Sequence, residues 1–245
     1  MADPGGSALI IGVGPSAGLG AALCRRFGAG GYHVIPAGRT EKSLADAADE
    51  VRAAGGSATP AVTDATSEGD MVALFDRAEA QGPPLEVVIY NAGNNRWGSF
   101  LEMEAGFFES VWRVCCLGGF LAGREAARRM VPRNRGTILF TGATASMRGR
   151  PPFAAFASAK AALRIVVQSM AREFGPQGIH VAHVVIDGAI DGDKINLALP
   201  QYAKSKGEDG MLGVDAIAET FWSLHAQHRS AWTQEIDLRP FKETF

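Results

Sequence analysis

Gly14, Gly18 and Gly20 lie in the segment Gly12-Val13-Gly14-Pro15-Ser16-Ala17-Gly18-Leu19-Gly20, which joins the apolar run Ala8-Leu9-Ile10-Ile11 to the helix-like Ala21-Ala22-Leu23-Cys24-Arg25-Arg26-Phe27. Strand, glycine turn and helix in that order make an anion site. Glycine lets the backbone come close to a pyrophosphate, while the free N–H groups and the positive end of the following helix stabilise its charge. A plain tight turn that uses glycine for its positive φ is the competing reading. The position inside a first strand–helix–strand unit favours nucleotide binding. Other chemistry-bearing residues are dispersed. Three cysteines, Cys24, Cys115 and Cys116, offer no disulfide framework, because an adjacent pair cannot reach ordinary bridge geometry without strain. His180 and His183 stand three apart in an alternating apolar run, which turns them to opposite faces, and His225 and His228 lack further ligands nearby; no metal site is expected.

The elements that must position these residues follow from periodicity. Short apolar runs alternate with longer amphipathic stretches from end to end, the pattern of a doubly wound parallel sheet covered by helices on both faces. About seven strands are expected, at Ala8–Val13, Tyr32–Ala37, Ala58–Val62, Leu85–Tyr90, Gly136–Thr141, His180–Ile186 and Glu235–Leu238. Helices are expected at Leu19–Gly28, Glu41–Ala54, Glu68–Ala80, Glu104–Met130, Phe153–Phe174 and Val214–Ala226. The stretch Asp191–Gly213 lacks a clear period and reads as a long loop with one short helix, a candidate lid over a ligand. A length of 245 residues fits one α/β domain over 1–245. The hydrophobic share of 47% against 20% charged residues excludes bulk disorder. With 24 basic and 26 acidic residues, the net charge of −2 supplies no field for nucleic acid. The start Met1-Ala2-Asp3-Pro4 has no basic region of a signal peptide, and no apolar run approaches membrane-spanning length, so a cytoplasmic protein without a membrane partner is expected.

Gly14, Gly18 and Gly20, then Asn91-Ala92-Gly93 after the fourth strand, then Lys160 on a long helix after the fifth, resemble the short-chain dehydrogenase/reductase family over nearly the whole chain. The resemblance implies a Rossmann-type domain that binds NAD or NADP, with substrate above the carboxyl ends of the strands. It implies that Gly14, Ser16, Gly18, Leu19 and Gly20 cradle the pyrophosphate and that Asp64 and Ala65 meet the adenine ring. Asn91, Ala92 and Gly93 then border the cofactor, Lys160 holds the nicotinamide ribose, and the backbone from Gly188 to Ile190 meets the carboxamide. Capping of the helix near Thr66 to Glu68 is an equal alternative for Asp64. At the end of the second strand, Pro36-Ala37-Gly38-Arg39-Thr40 has no acid for a ribose 2′-OH. Arg39 can instead pair with a 2′-phosphate, so NADP(H) is preferred, with NAD(H) as the alternative.

The family's chemistry uses an Asn, a Ser, a Tyr and a Lys. By the resemblance the Tyr hydroxyl passes the proton, the Lys lowers the Tyr pKa, and the Ser orients the substrate oxygen. The Tyr position, four residues before Lys160 and on the same helix face, is Phe156 here. The Ser position is Ala143 and the Asn position Cys115, so Lys160 alone remains. The register seven residues before Lys160, used by enoyl reductases of the superfamily, gives Phe153. Thr144 or Ser146 is a candidate substitute for the serine hydroxyl, and Tyr202, in the candidate lid, for the phenol. Asp187, which stands where the family has the Pro of a Pro-Gly turn, and Asp191 and Asp193 are candidate acids if burial raises their pKa. Met147, Phe153 and Phe156 suggest an apolar substrate side. The ending from Trp232 to Phe241 replaces the family's Asp-Gly-Gly, with no chemical reason visible in the sequence.

Two functions follow. One is an NADP(H)-dependent oxidoreductase that moves hydride between nicotinamide and a carbonyl, alcohol or related small molecule by an atypical proton path. The other is a catalytically weak dinucleotide-binding protein, a redox sensor or partner subunit. From Pro151 to Ala171 only Lys160 and Arg164 are charged, so this helix should be covered on both sides, as in the homodimers or homotetramers usual in the family.

Overall fold

The computed structural model describes residues 5–93 and 95–243. Ser7–Ile11, continuously apolar after its first residue, forms β1, buried along its whole length as a central strand of a parallel sheet must be. It is followed by α1 (Leu19–Ala29), β2 (His33–Gly38), α2 (Glu41–Ala53), β3 (Ser57–Ala58), β4 (Ala61–Val62), α3 (Glu68–Gln81) and β5 (Leu85–Tyr90). Next come α4 (Ala105–Trp112), a π-helical turn at Arg113–Leu117, α5 (Gly118–Met130), β6 (Gly136–Thr141), α6 (Ala154–Phe174) and β7 (Ile179–Ile186). The last part holds β8 (Ile190–Asp191), α7 (Asp193–Ala198), α8 (Pro200–Lys206), β9 (Leu212–Gly213), α9 (Val214–His225) and β10 (Glu235–Leu238).

The main sheet runs β10-β7-β6-β5-β1-β2-β3, with β4 also on β2, and its pairings are parallel. From β1 the chain moves outward to β2 and β3, then returns to lay β5 on the other side of β1. That reversal opens a crevice at the carboxyl ends of β1 and β5, where ligands bind in such sheets. Residues of β1 alternate between two cores. Ala8 and Ile10 pack with Leu23, Phe27, Leu44 and Phe221, from α1, α2 and α9. Leu9 and Ile11 pack with Phe75, Leu121, Met130 and Leu163, from α3, α5 and α6.

Four expectations are corrected. The strand expected at Ala58–Val62 is two short pieces, β3 and β4, which follow one another along β2; Pro60 between them has no N–H to give the ladder. The helix expected at Glu104–Met130 is interrupted by the π turn at Arg113–Leu117. The Asp191–Gly213 stretch carries two short helices, α7 and α8, and β8 pairs with β9 across its base. Finally, the helical run Ala105–Arg133 is long and apolar enough, by length and composition alone, to cross a membrane. Here it lies against the sheet, with Leu121, Ala122, Ala126 and Met130 in the core.

Candidate functional site

The turn after β1 is built around backbone contacts that tolerate no side chain. Gly12 has φ +98°, and a Cβ on it would lie 2.3 Å from the Ala92 nitrogen. A Cβ on Gly20 would lie 2.8 Å from the Gly12 carbonyl oxygen, so α1 approaches the turn as closely as it does only because that position is glycine. Gly14 differs, since no atom lies within 4 Å of where its Cβ would be. The amide of Asn91, at the end of β5, donates to the Gly12 carbonyl at 3.0 Å and accepts from the Thr141 hydroxyl at 3.0 Å, tying the turn to β5 and β6.

Beside this turn lies a cleft of about 630 Å³. Of the positions expected at the cofactor, Gly14, Gly18, Leu19, Gly20, Arg39 and Asp64 line it. So do Ala65, Asn91, Ala92, Gly93, Gly188 and Ile190, together with Lys160. Ser16 does not; its carbonyl instead accepts from the Arg25 guanidinium at 3.0 Å. Arg39 makes no ion pair or hydrogen bond among the described residues. Asp64 accepts from both the backbone N–H and the hydroxyl of Thr66, each at 2.9 Å, and these bonds hold its carboxyl below the usual range. The helix cap itself is Ser67, whose hydroxyl oxygen accepts from the Asp70 N–H.

Lys160, the one buried lysine or arginine among the described residues, donates from Nζ to the Thr141 carbonyl at 2.7 Å, and a Cβ on Gly93 would lie 3.5 Å from the same nitrogen. The ammonium therefore sits between the ends of β5 and β6. Burial holds it below the ordinary lysine range. Phe156 also lines the cleft, with its ring centroid 6.0 Å from Nζ.

The three replaced positions meet in one apolar cluster. Cys115 and Phe156 pack with Val111, Ala155 and Ala159, and Ala143 packs against them. Cys115 is fully buried and does not line the cleft; the π turn presents Val114 there instead. A polar network with one member missing leaves the rest unpaired in a low dielectric, whereas replacing all members with apolar groups leaves nothing unsatisfied.

The candidate substitutes separate on exposure. Thr144 lines the cleft and donates to Asp187 Oδ1 at 2.6 Å. Ser146 is buried and off the cleft; its oxygen accepts from the Ala143 N–H and lies 3.5 Å from His183 Nε2. Tyr202, on α8, lies outside the lining with Lys206 over its ring. Asp187 is buried as an ion pair, with Arg239 Nη2 at 3.3 Å, so two departures seen separately in the sequence, the acid for proline and the altered ending, compensate each other. Asp191 is exposed and accepts from the Asn196 amide, while Asp193 lines the cleft. The histidines serve structure: His180 stacks on Trp232, and His183 lies between Ser146 and Glu235. No group of three or more potential metal ligands occurs among the described residues.

The profile of the family described as short chain dehydrogenase matches residues 8–195. The chain belongs to the short-chain dehydrogenase family. It is 32% identical over 185 residues to the uncharacterized oxidoreductase YuxG of Bacillus subtilis, a match covering 74% of this chain but 27% of that protein's length. It is 35% identical over 192 residues to the cyclic-di-GMP-binding biofilm dispersal mediator protein of Escherichia coli, covering 77% of this chain and 75% of that one. A crystal structure of a short-chain dehydrogenase from Rhodopseudomonas palustris superposes with a TM-score of 0.82 at 39% identity, over 96% of this chain and 99% of that one.

Sequence reasoning missed several lining residues, among them Asn95, Val114, Arg148, Arg150 and Glu243. Val114 needed the π turn to be known. Arg148 and Arg150 lie between two short-chain dehydrogenase positions, Ala143 and Phe156, and their charge in an otherwise apolar stretch was the available signal.

Proposed function

We propose that this chain is an oxidoreductase that binds NADP(H) in the cleft between β1 and β5 and moves hydride to or from a small carbonyl or alcohol without a phenol. The observation that carries this reading is the glycine turn. Gly12 and Gly20 are forced by backbone contacts, while the space beside Gly14 is open, as a turn shaped for a ligand requires. Arg39, just after β2 and in no ion pair or hydrogen bond among the described residues, suits a 2′-phosphate. A nicotinamide dinucleotide, when bound, supplies the hydride chemistry.

The chain's own groups do the rest. Lys160 offers its remaining N–H bonds to ribose hydroxyls, and with its pKa lowered by burial it is a better proton donor than a surface lysine. The Thr144 hydroxyl commits its hydrogen to Asp187, so on the cleft side it can only accept, which orients an alcohol O–H better than a carbonyl oxygen. Phe156 and Ala143 exclude water from the same end.

A second reading has its own support. The coherent apolar cluster at Cys115, Phe156 and Ala143, and the naming of one relative for nucleotide binding, favour a dinucleotide-binding protein with little catalysis.

The double variant Phe156→Tyr with Ala143→Ser separates the two. If the missing phenol limits an otherwise assembled site, wild type turns over simple ketones slowly with NADPH and the variant is about ten- to a thousand-fold faster. Normal NADPH binding by the variant with no gain on any carbonyl favours the second reading. Wild-type rates near 10 s⁻¹, ordinary for competent enzymes, would contradict the atypical proton path.

A further inference from the structure

Two arginines on the cleft lining carry positive charge that the protein's own carboxylates engage weakly or not at all among the described residues. Arg148 and Arg150 line the cleft beside Phe153, Phe156 and Ala145. Most arginines of this chain are held by carboxylates at short range, as Arg164 is by Glu235 at 2.6 Å and Arg128 by Glu125 at 2.6 Å. The Arg150 guanidinium makes no ion pair or hydrogen bond among the described residues and has only the Phe153 ring beside it, at 5.8 Å. The nearest carboxylate to Arg148 is Asp187, at 3.9 Å, and that group is already engaged by Thr144 and Arg239. Of the acids on the lining, Glu243 is paired with Lys206 at 3.1 Å, and Asp193 follows Gly192, which packs against Ala17 of the glycine turn rather than beside the two arginines. Arg148 and Arg150 therefore put two cations on the lining against one carboxylate that is shared with Arg239.

Arg39 follows β2 and the Arg148–Arg150 segment follows β6, three strand spacings apart in the sheet, or roughly 14 Å. The two sets therefore serve different anions. With the cofactor reading above as its basis, we propose that the substrate is an organic acid, its carboxylate held by Arg148 and Arg150 and its apolar body against Phe153 and Phe156. Guanidinium groups bind carboxylates through paired, charge-assisted hydrogen bonds, and both arginines are exposed, so their donors are open to a ligand in the cleft. A neutral ketone of the same shape leaves both arginines unpaired by ligand.

The test is titration calorimetry with two probes of matched shape, phenylpyruvate and the neutral phenylacetone, into the protein saturated with NADP⁺, which cannot reduce them, and into the protein alone. NADP⁺ is titrated first. Wild type should bind phenylpyruvate at least about tenfold more tightly than phenylacetone, and Arg148→Gln with Arg150→Gln should erase the preference while leaving NADP⁺ affinity within about twofold. Arg150→Lys, which keeps the charge but not the fork, should retain part of it. NADP⁺ uptake with equal binding of acid and ketone, no binding of the acid at about 10 mM, or a preference that survives the double substitution overturns the inference while the cofactor reading stands. If NADP⁺ does not bind, the cofactor reading fails instead, and the titrations on the protein alone then decide the anion preference by the same criteria.

Discussion

At the residue scale, two kinds of glycine in one turn give a discriminating experiment. Gly12→Ala puts a methyl carbon 2.3 Å from backbone at a positive φ, so it should cost about 2–4 kcal/mol of stability as well as NADPH affinity. Gly14→Ala meets open space in the fold, so its Tm should match wild type while NADPH binding falls by at least about tenfold. Thermal melts with and without NADPH check both, and a Gly14→Ala protein that binds normally would mean the open space is not the ligand's. Arg39→Ala should lose about 1.5–3 kcal/mol of NADPH binding, roughly ten- to a hundred-fold, with NADH unchanged. An unchanged NADPH-to-NADH ratio would contradict the 2′-phosphate assignment. On the cleft, Gly12 and Gly20 were legible as backbone requirements and Arg39 as a charge at a strand end, whereas Ser16, expected there, lies off the lining. The reaction end was legible only as a set of absences, since that Cys115, Phe156 and Ala143 form one cluster is a fact of packing between three separate elements.

At the scale of elements, strands and helices with strong periodicity were readable, and what was not readable lies where a local rule is broken by tertiary contact. The π turn at Arg113–Leu117 is one such place: it carries Val114 to the cleft and Cys115 to the core within a helix whose apolar pattern gives no sign of it. β10 is another. Its Glu235, which the sequence marked only as the start of a strand, reaches His183 on β7 at 2.9 Å and Arg164 on α6, joining two strands and a helix through one carboxylate. Burial pushes His183 down to about 4, and His225, held between Tyr32 and Thr137, is also pushed by burial to about 4. Both imidazoles therefore bind protons less readily in the folded chain than in the unfolded one. The stabilisation of the neutral forms is complete above about pH 6.5 and is lost as pH falls toward 4, on the order of 3 kcal/mol for each ring. Denaturation midpoints from pH 7 to pH 4 should fall accordingly, and a flat profile across that interval would contradict the burial of both rings.

At the scale of the molecule, the doubly wound sheet brings the glycine turn, Arg39 and Lys160 from distant parts of the chain to one crevice, and the alternation of strands and helices is what made that arrangement foreseeable. Assembly is a separate matter. The outer face of α6 leaves Ile165 58% exposed, and α5 leaves Phe120 41% exposed, apolar surface that a second copy would cover. Light scattering at micromolar concentration should give at least twice the 25.8 kDa of one chain, and Ile165→Glu should shift it toward the monomer. The crevice is proposed to take a phosphorylated nicotinamide dinucleotide. Titration calorimetry of NADPH into wild-type protein tests it most directly: one molecule should bind per chain with a Kd of about 1–100 µM, more tightly than NADH, and no measurable heat up to about 1 mM NADPH would contradict it.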